Sequence, residues 1–182
     1  LAFSAIQNND KIGVIFFSDH VEKYIPPKKG RKHILYLIRE MLTFTPNSKK
    51  TDVGVGLEYL NKVVKRRCTA FVISDFYTRK DFSQELRITN RKHDVVAIQV
   101  YDPRAKVMPD VGLLKVIDAE TGHEMYVDTH DIRVRKAHNT YWEEREQRLH
   151  DTLTQSHVDS VAIATNDDYV KMLITLFLKR RR

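Results

Sequence analysis

The chain has 182 residues, enough for one domain with a sizeable core and short for two. Hydrophobic residues make up 42% and charged residues 30%, with only 6 Gly and 5 Pro, which excludes a disordered or fibrous chain. A net charge of +7 invites a nucleic-acid or anionic-surface reading, but setting aside Lys65-Arg66-Arg67 and the tail Lys179-Arg180-Arg181-Arg182 leaves 24 basic residues against 24 acidic ones.

Both basic clusters fall where helices are expected to end, and cations there favour the helix macrodipole, so a helix-end role outweighs a phosphate or lipid surface. No run approaches the ~20 apolar residues of a membrane-spanning helix, and no segment reads as a signal peptide. The one cysteine, Cys68, cannot form an internal disulfide, which makes a reducing compartment, the cytoplasm, the expectation. The chain opens at Leu1, without Met and in what reads as mid-helix, the pattern of a piece of a longer protein whose upstream part could carry an anchor.

Lys11 to Ser18 (KIGVIFFS) is an almost unbroken apolar run, the pattern of a strand buried on both faces. Val21 to Ile25 reads as a shorter edge strand stopped by Pro26-Pro27. Ile34, Leu37, Ile38, Met41 and Leu42 recur at helical spacing, and Val53, Leu57, Leu60, Val63 and Val64 mark a second helix. Thr69 to Asp75 (TAFVISD) is a buried strand ending on an acid, Asp81 to Lys92 an exposed helix, and Asp94 to Tyr101 a further buried strand. Strands alternating with helices imply a doubly wound, mainly parallel α/β sheet with helices on both faces, in one domain over residues 1–182.

Beyond Pro103 the period changes to alternation. Leu114, Val116 and Asp118, the turn Glu120-Thr121-Gly122, and Met125 to Val127 form a hairpin. A polar helix capped within Asp128 to Asp131 then runs to about Thr154, so that 113–154 reads as an elaboration outside the core. Val158 to Ala164 is the last strand, and Asp167 or Asp168 caps a helix bearing Tyr169, Met172, Leu173, Leu176 and Phe177.

Ligands of an open parallel sheet bind beyond the carboxyl ends of its strands. Asp75 ends one strand and Thr51-Asp52 opens a helix, oxygen donors of the kind a hard cation such as Mg²⁺ takes. The same residues serve equally as a helix cap and a strand-end turn acid.

Five segments resemble the von Willebrand factor A type domain, and within it the bacterial family called domain of unknown function 58. They are Phe16 to Leu42, KKTDVGVGLEYL (Lys49 to Leu60), KRRCTAFVISDFY (Lys65 to Tyr77), DAETGHEMYVDT (Asp118 to Thr129) and the closing ATNDDYVKMLITLFLKRRR. The resemblance implies a Rossmann-type sheet and a metal-ion-dependent adhesion site, with Thr51 and Asp75 matching two of its five usual side chains and Asp52 standing behind them without touching the ion. The Asp-x-Ser-x-Ser loop that supplies the rest follows a first, central strand missing from this chain. The resemblance therefore implies Mg²⁺ in a full-length protein and no bound ion in this segment. It also implies an adaptor that works with a MoxR-type AAA+ ATPase in the assembly or activation of other proteins. The missing strand would lie between Lys11–Ser18 and Thr69–Asp75, and the expectation is that these close on each other or that a second copy fills the gap as a homodimer.

Enzyme readings fail on pattern. Asp75 lacks the second Asp of a haloacid-dehalogenase-type phosphoryl acceptor, because Tyr77 stands there. Cys68 has no histidine that the sequence can position, the eight histidines show no metal motif, His33 reads as a helix-end group, and Gly54 and Gly56 form no phosphate loop. A binding module is expected rather than an enzyme. A basic-surface nucleic-acid binder stands second and a hydrolase third.

Overall fold

The computed structural model describes residues 2–78, 80–118 and 122–180. After helix α1 (Ala2–Gln7), strand β1 (Ile12–Phe17) turns at Ser18–His20 and pairs antiparallel with β2 (Val21–Lys28). Pro26-Pro27 do not stop β2 as the sequence suggests. Proline is tolerated on an edge strand, where its missing N–H costs no ladder bond. Gly13 opposite makes room for the rings, since a Cβ there would lie 2.7 Å from the Ile25 carbonyl oxygen and 2.8 Å from the Pro27 nitrogen. The ladder shifts register between Ile12 and Val14 to accommodate them.

Helices α2 (Arg31–Thr43) and α3 (Val53–Val63) lead to β3 (Thr69–Ser74), α4 (Ser83–Lys92) and β4 (Asp94–Tyr101). A short helix α5 (Pro103–Lys106), the hairpin β5 (Leu113–Ile117) and β6 (Glu124–Asp128), helix α6 (Ile132–Gln155), β7 (Asp159–Ala164) and α7 (Tyr169–Lys179) complete the order. Strands β3, β4 and β7 form a parallel sheet in that order, with Phe71 opposite Val96 and Ile98 opposite Val161. Alternation then decides the two faces. Val72, Val95 and Ala97 join Val53 and Leu57 of α3 and Leu86 of α4 in the core, while Phe71 meets Phe177 of α7 edge-on across the other face.

The α/β class and helices on both faces are what the sequence led us to expect, with several corrections. Among the described residues the parallel sheet has three strands, and β1–β2 and β5–β6 are separate antiparallel pairs. Strands β1 and β3 do not close on each other. A cavity of about 280 Å³ lies between them, walled by Ile15, Phe16 and Phe17 on one side and Ile73 and Ser74 on the other. Packing explains the gap. Phe16 stacks on Phe44 with ring centroids 4.7 Å apart, and the Phe17 ring rests against Gly56 of α3, so β1 is anchored to the helices instead of to β3.

Helix α4 starts at Ser83, after Asp81, and is not simply exposed. It buries Leu86 and also Thr89, whose hydroxyl accepts from Asn61 Nδ2 at 2.7 Å. Along α6, Trp142 is half-buried and Glu143 exposed, yet the C-terminal turns reach the core through Leu153, with Leu149 packed beside it. Gly122 takes φ 71 in the hairpin turn, whose Glu120 and Thr121 lie outside the described residues. Asp131 and Asp168 cap α6 and α7, and Asp167 instead accepts from the Ala164 amide. His33 Nε2 donates to the Ile12 carbonyl at 2.9 Å.

Candidate functional site

Three loops converge at the carboxyl edge of the strands: Ser18–His20 after β1, Pro46–Asp52 before α3, and the segment from Asp75 that leads to α4. Glu22 ties the first two together. Its side chain, only 1% exposed, accepts from the Ser18 hydroxyl (2.8 Å), the Asn47 amide (2.9 Å) and side chain (2.7 Å), and the Ser48 amide (3.2 Å). Burial pushes the Glu22 carboxyl up, but these donors outweigh it and hold the carboxyl below its ordinary value. His20 lies between Asp19 at 2.9 Å and Glu22 at 3.4 Å. The bond to Asp19 raises the imidazole and lowers the Asp19 carboxyl.

Asp52 ties the first loop to the third. Its amide donates to the Ser18 carbonyl at 2.9 Å, one carboxylate oxygen caps α3 at the Val55 amide, and the other takes the Lys80 ammonium at 2.6 Å. Thr51 lines the cavity between β1 and β3 together with Ser74. Asp75, one residue on, lines a second cavity of about 260 Å³ with Tyr77, Tyr101, Asp102, Trp142 and Arg145. Its carboxylate accepts from the Tyr77 amide at 2.9 Å, an Asx turn that closes the strand end. Phe76 takes a left-handed φ of 54 in that turn, which sends its ring into the core against Phe82.

Thr51, Asp52 and Asp75 are thus neighbours along one edge without forming a cation shell. Asp52 is committed to a helix cap and to an ammonium, and Asp75 to its own turn. Among the described residues no group of three or more His, Cys, Asp or Glu side chains is placed to hold a metal ion. The donor set present does not fit a near-octahedral Mg²⁺, which needs several converging oxygens.

The second cavity is organised by Arg145 of α6. Its guanidinium lies 4.7 Å from the ring centroids of both Tyr77 and Trp142 and donates to the Asp75 carbonyl at 3.0 Å. Tyr141 donates to the Tyr77 hydroxyl at 3.3 Å, and the Trp142 indole donates to His138 at 3.1 Å.

A profile of the family described as protein of unknown function DUF58 matches residues 1–148. The chain belongs to this family. The DUF58 chain is 31% identical over 115 residues to the uncharacterized protein Rv1480 of Mycobacterium tuberculosis, covering 62% of this chain and 36% of that protein. It is 33% identical over 100 residues to the uncharacterized protein MAV169 of Mycobacterium avium, covering 54% of this chain and 59% of that one. It therefore spans about a third to three-fifths of the length of these relatives. Two solved structures are similar across 98% of the chain. One is the conserved hypothetical protein BatB of Bacteroides thetaiotaomicron (TM-score 0.57, 14% identity, 84% of that chain). The other is an aerotolerance-related membrane protein of Bacteroides fragilis (TM-score 0.58, 13% identity, 85% of that chain). At that identity the likeness concerns the fold alone. Among the described residues of the DUF58 chain, no helix is long and apolar enough to cross a membrane.

The structure supplies what the sequence could not about Cys68. Its sulfur lies 3.5 Å from Nδ1 of His93, a residue with no solvent exposure. Burial pushes the Cys68 thiol up and the His93 imidazole down, the reverse of the thiolate–imidazolium polarity of a nucleophilic pair. Of the basic tail, Arg180 pairs with Asp94 and, at 2.8 Å, with Asp159, bolting α7 to the amino ends of β4 and β7. Arg181 and Arg182 lie outside the described residues, and Lys65, Arg66 and Arg67 are exposed just after α3.

Sequence reasoning picked out Thr51, Asp52 and Asp75 but missed Lys80, Tyr77, Trp142 and Arg145. Arg145 sits 70 positions from Asp75, on a helix whose thin apolar stripe gave no sign of which face it turns to the sheet. The usable signal was composition. Tyr, Trp and Arg within one turn of a polar helix (Tyr141, Trp142, Arg145) is the residue set that dominates protein-binding hot spots.

Proposed function

We propose that this chain is a protein-docking module that carries no reaction of its own and presents the carboxyl edge of its sheet to a protein partner. The observation that carries the reading is the Tyr77–Arg145–Trp142 stack beside Asp75. Tyr, Trp and Arg are enriched in interface cores, because they combine a large apolar area with a polar tip at low entropic cost. The cavity they line, about 260 Å³, is below the ~300–1,000 Å³ of typical small-molecule sites, which favours a partner's side chain over a whole ligand. The upward shift of the half-buried Cys68 thiol and the downward shift of the buried His93 imidazole argue against a thiolate nucleophile, and the Ser18 hydroxyl, 3.3 Å from His20 Nδ1, donates instead to Glu22 at 2.8 Å, which supports binding over hydrolysis.

The class of partner comes from the resemblance: a MoxR-type AAA+ ATPase, with the module acting as an adaptor in the assembly or activation of other proteins. In a longer polypeptide that supplies an acidic-serine loop, Thr51 and Asp75 would contribute to a Mg²⁺ shell through which a partner's carboxylate docks. The 182 residues themselves supply Thr51, Asp75 and, behind them, Asp52. We place the module in the cytoplasm, on the single unpaired cysteine, and the membrane description of one structural neighbour is compatible with an anchor carried elsewhere in a longer chain.

Biolayer interferometry with a purified MoxR-type ATPase tests the proposal. Trp142→Ala and Arg145→Ala should each weaken binding by ~10-fold or more, since hot-spot truncations cost ~2 kcal/mol or more and ~1.4 kcal/mol is tenfold. Binding that ignores both substitutions would remove this edge as the docking surface. Turnover of phosphate-ester or peptide substrates that disappears in Asp75→Asn would replace docking with hydrolysis.

A further inference from the structure

The resemblance asks for a divalent cation at this edge, and the residues present put something else there. Asp52 is 6% exposed, and each of its carboxylate oxygens is engaged, one by the α3 cap and one by the Lys80 ammonium at 2.6 Å. Lys80 reaches in from the loop that follows Asp75, while its side chain remains 69% exposed. Asp19 adds its field from the β1–β2 turn, so the ammonium faces acids from two separate loops. Such a position, between strand-end loops and against a buried carboxylate, is where an oxygen-liganded cation would otherwise balance the charge.

We propose that Lys80 is the built-in cation of this edge: its ammonium takes the charge-balancing place of a divalent ion and closes the post-β3 loop onto the start of α3. The inference goes beyond docking and stands on the Asp52–Lys80 geometry, whether or not a partner binds. A lysine delivers one strongly hydrated charge on a flexible stem, enough to neutralise one carboxylate without an organised coordination shell. A nearly buried carboxylate stripped of that partner becomes an uncompensated charge, the costly case among buried ion pairs. It would then recruit the nearest substitute, and millimolar Mg²⁺ is a hard cation suited to carboxylate oxygen.

Thermal melting in EDTA and in millimolar Mg²⁺ tests this with four chains: the parent, Lys80→Met, Asp52→Asn and the double variant. The parent should melt at the same temperature in both buffers. Lys80→Met keeps the stem and loses the charge, so it should melt several degrees lower in EDTA and regain part of the loss in Mg²⁺. Asparagine remains a good helix cap without a charge. Adding Asp52→Asn to Lys80→Met should therefore recover stability in EDTA and abolish the response to Mg²⁺. A parent whose melting point moves with Mg²⁺ overturns the proposal, as does Lys80→Met that melts like the parent, or whose loss neither Mg²⁺ nor Asp52→Asn repairs. Because the readout is melting, failure here leaves the Trp142 and Arg145 binding test unaffected.

Discussion

Substituting Gly56 by alanine should destabilise the chain even though alanine is the better helix former. A Cβ at Gly56 would lie 2.8 Å from Cδ1, 3.0 Å from Cγ and 3.1 Å from Cε1 of Phe17. Three ring atoms at that range cannot be cleared by swinging a flexible chain end, so either the ring or β1 must move. Overpacking of this kind costs ~1–3 kcal/mol, while replacing glycine within a helix returns ~0.8–1 kcal/mol. The net is a loss of about 1 kcal/mol, which for a domain of this size lowers the melting temperature by ~2–4 °C. The cycle with Phe17→Leu isolates the cause. With the ring gone, only the helical gain remains, and Gly56→Ala should stabilise that background. Circular dichroism melts of the parent, the two single variants and the double variant supply the four corners. A wild-type background stabilised by Gly56→Ala, or a coupling below the ~0.5 kcal/mol of independent sites, would refute the claim that Phe17 packing on α3 holds β1 away from β3.

The carboxyl-edge network should also report pH. His20 is raised above its ordinary 6.5 by Asp19, so its contribution is fully present below pH 6.5 and is lost as pH rises through the folded value; His20→Gln should flatten the melting temperature over that window. Asp131 behaves oppositely. Arg133 holds its carboxyl at about 2, so its contribution is present above pH 3.8 and disappears as pH falls towards 2, and acid titration of the helical signal should shift upward in pH for Asp131→Asn. Arg180→Ala should lower the melting temperature by leaving Asp94 and Asp159 without their shared partner. It should leave duplex DNA binding weak at every salt concentration; an affinity that falls steeply with salt and drops further in this variant would reinstate the basic-surface reading.

The elements were legible in the sequence wherever apolar period and burial coincide. The KIGVIFFS, TAFVISD and DVVAIQVY runs are strands because their interior positions are almost all apolar, and the acids at Asp128 to Asp131 and at Asp167-Asp168 mark where the following helices start, with Asp131 and Asp168 as the caps. The prolines misled because edge position, which excuses them, is a property of the sheet and not of Val21 to Lys28. At the site, Thr51, Asp52 and Asp75 stood out because they are oxygen donors expected at the carboxyl edge of a parallel sheet, where its ligands bind, and because the resemblance matches Thr51 and Asp75. Their actual partners could not be read. Lys80 is one of 31 basic residues, and only the path of the chain after Phe76 selects it as the one that meets Asp52. Arg145 likewise acquires its role only when α6 crosses the end of β3.

The gap between β1 and β3 carries the last prediction, that the 182-residue chain self-associates through it. Exposed strand edges pair with other strands unless something discourages them, commonly lysine, proline or a bulge. The outer edge strand β2 has such protection in Lys23, Pro26, Pro27 and Lys28. The two edges facing the gap have none: β1 reads IGVIFF and β3 reads TAFVIS, without a charge or a proline between them. Ile73 is 55% exposed there, and no residue of β1 is fully buried, although that strand is wholly apolar apart from Gly13. A second copy that covered this apolar surface would gain ~25 cal/mol for each Å² removed from water and would satisfy unpaired backbone groups on both strands. Light scattering coupled to size exclusion should therefore show a mass that rises from monomer to dimer with concentration. Ile73→Lys, a charge of the kind β2 already carries, should hold the chain monomeric at all concentrations. If the parent chain stays monomeric while the amides of β1 and β3 exchange with solvent as fast as those of an unprotected loop, the gap tolerates water, and the argument from edge protection fails.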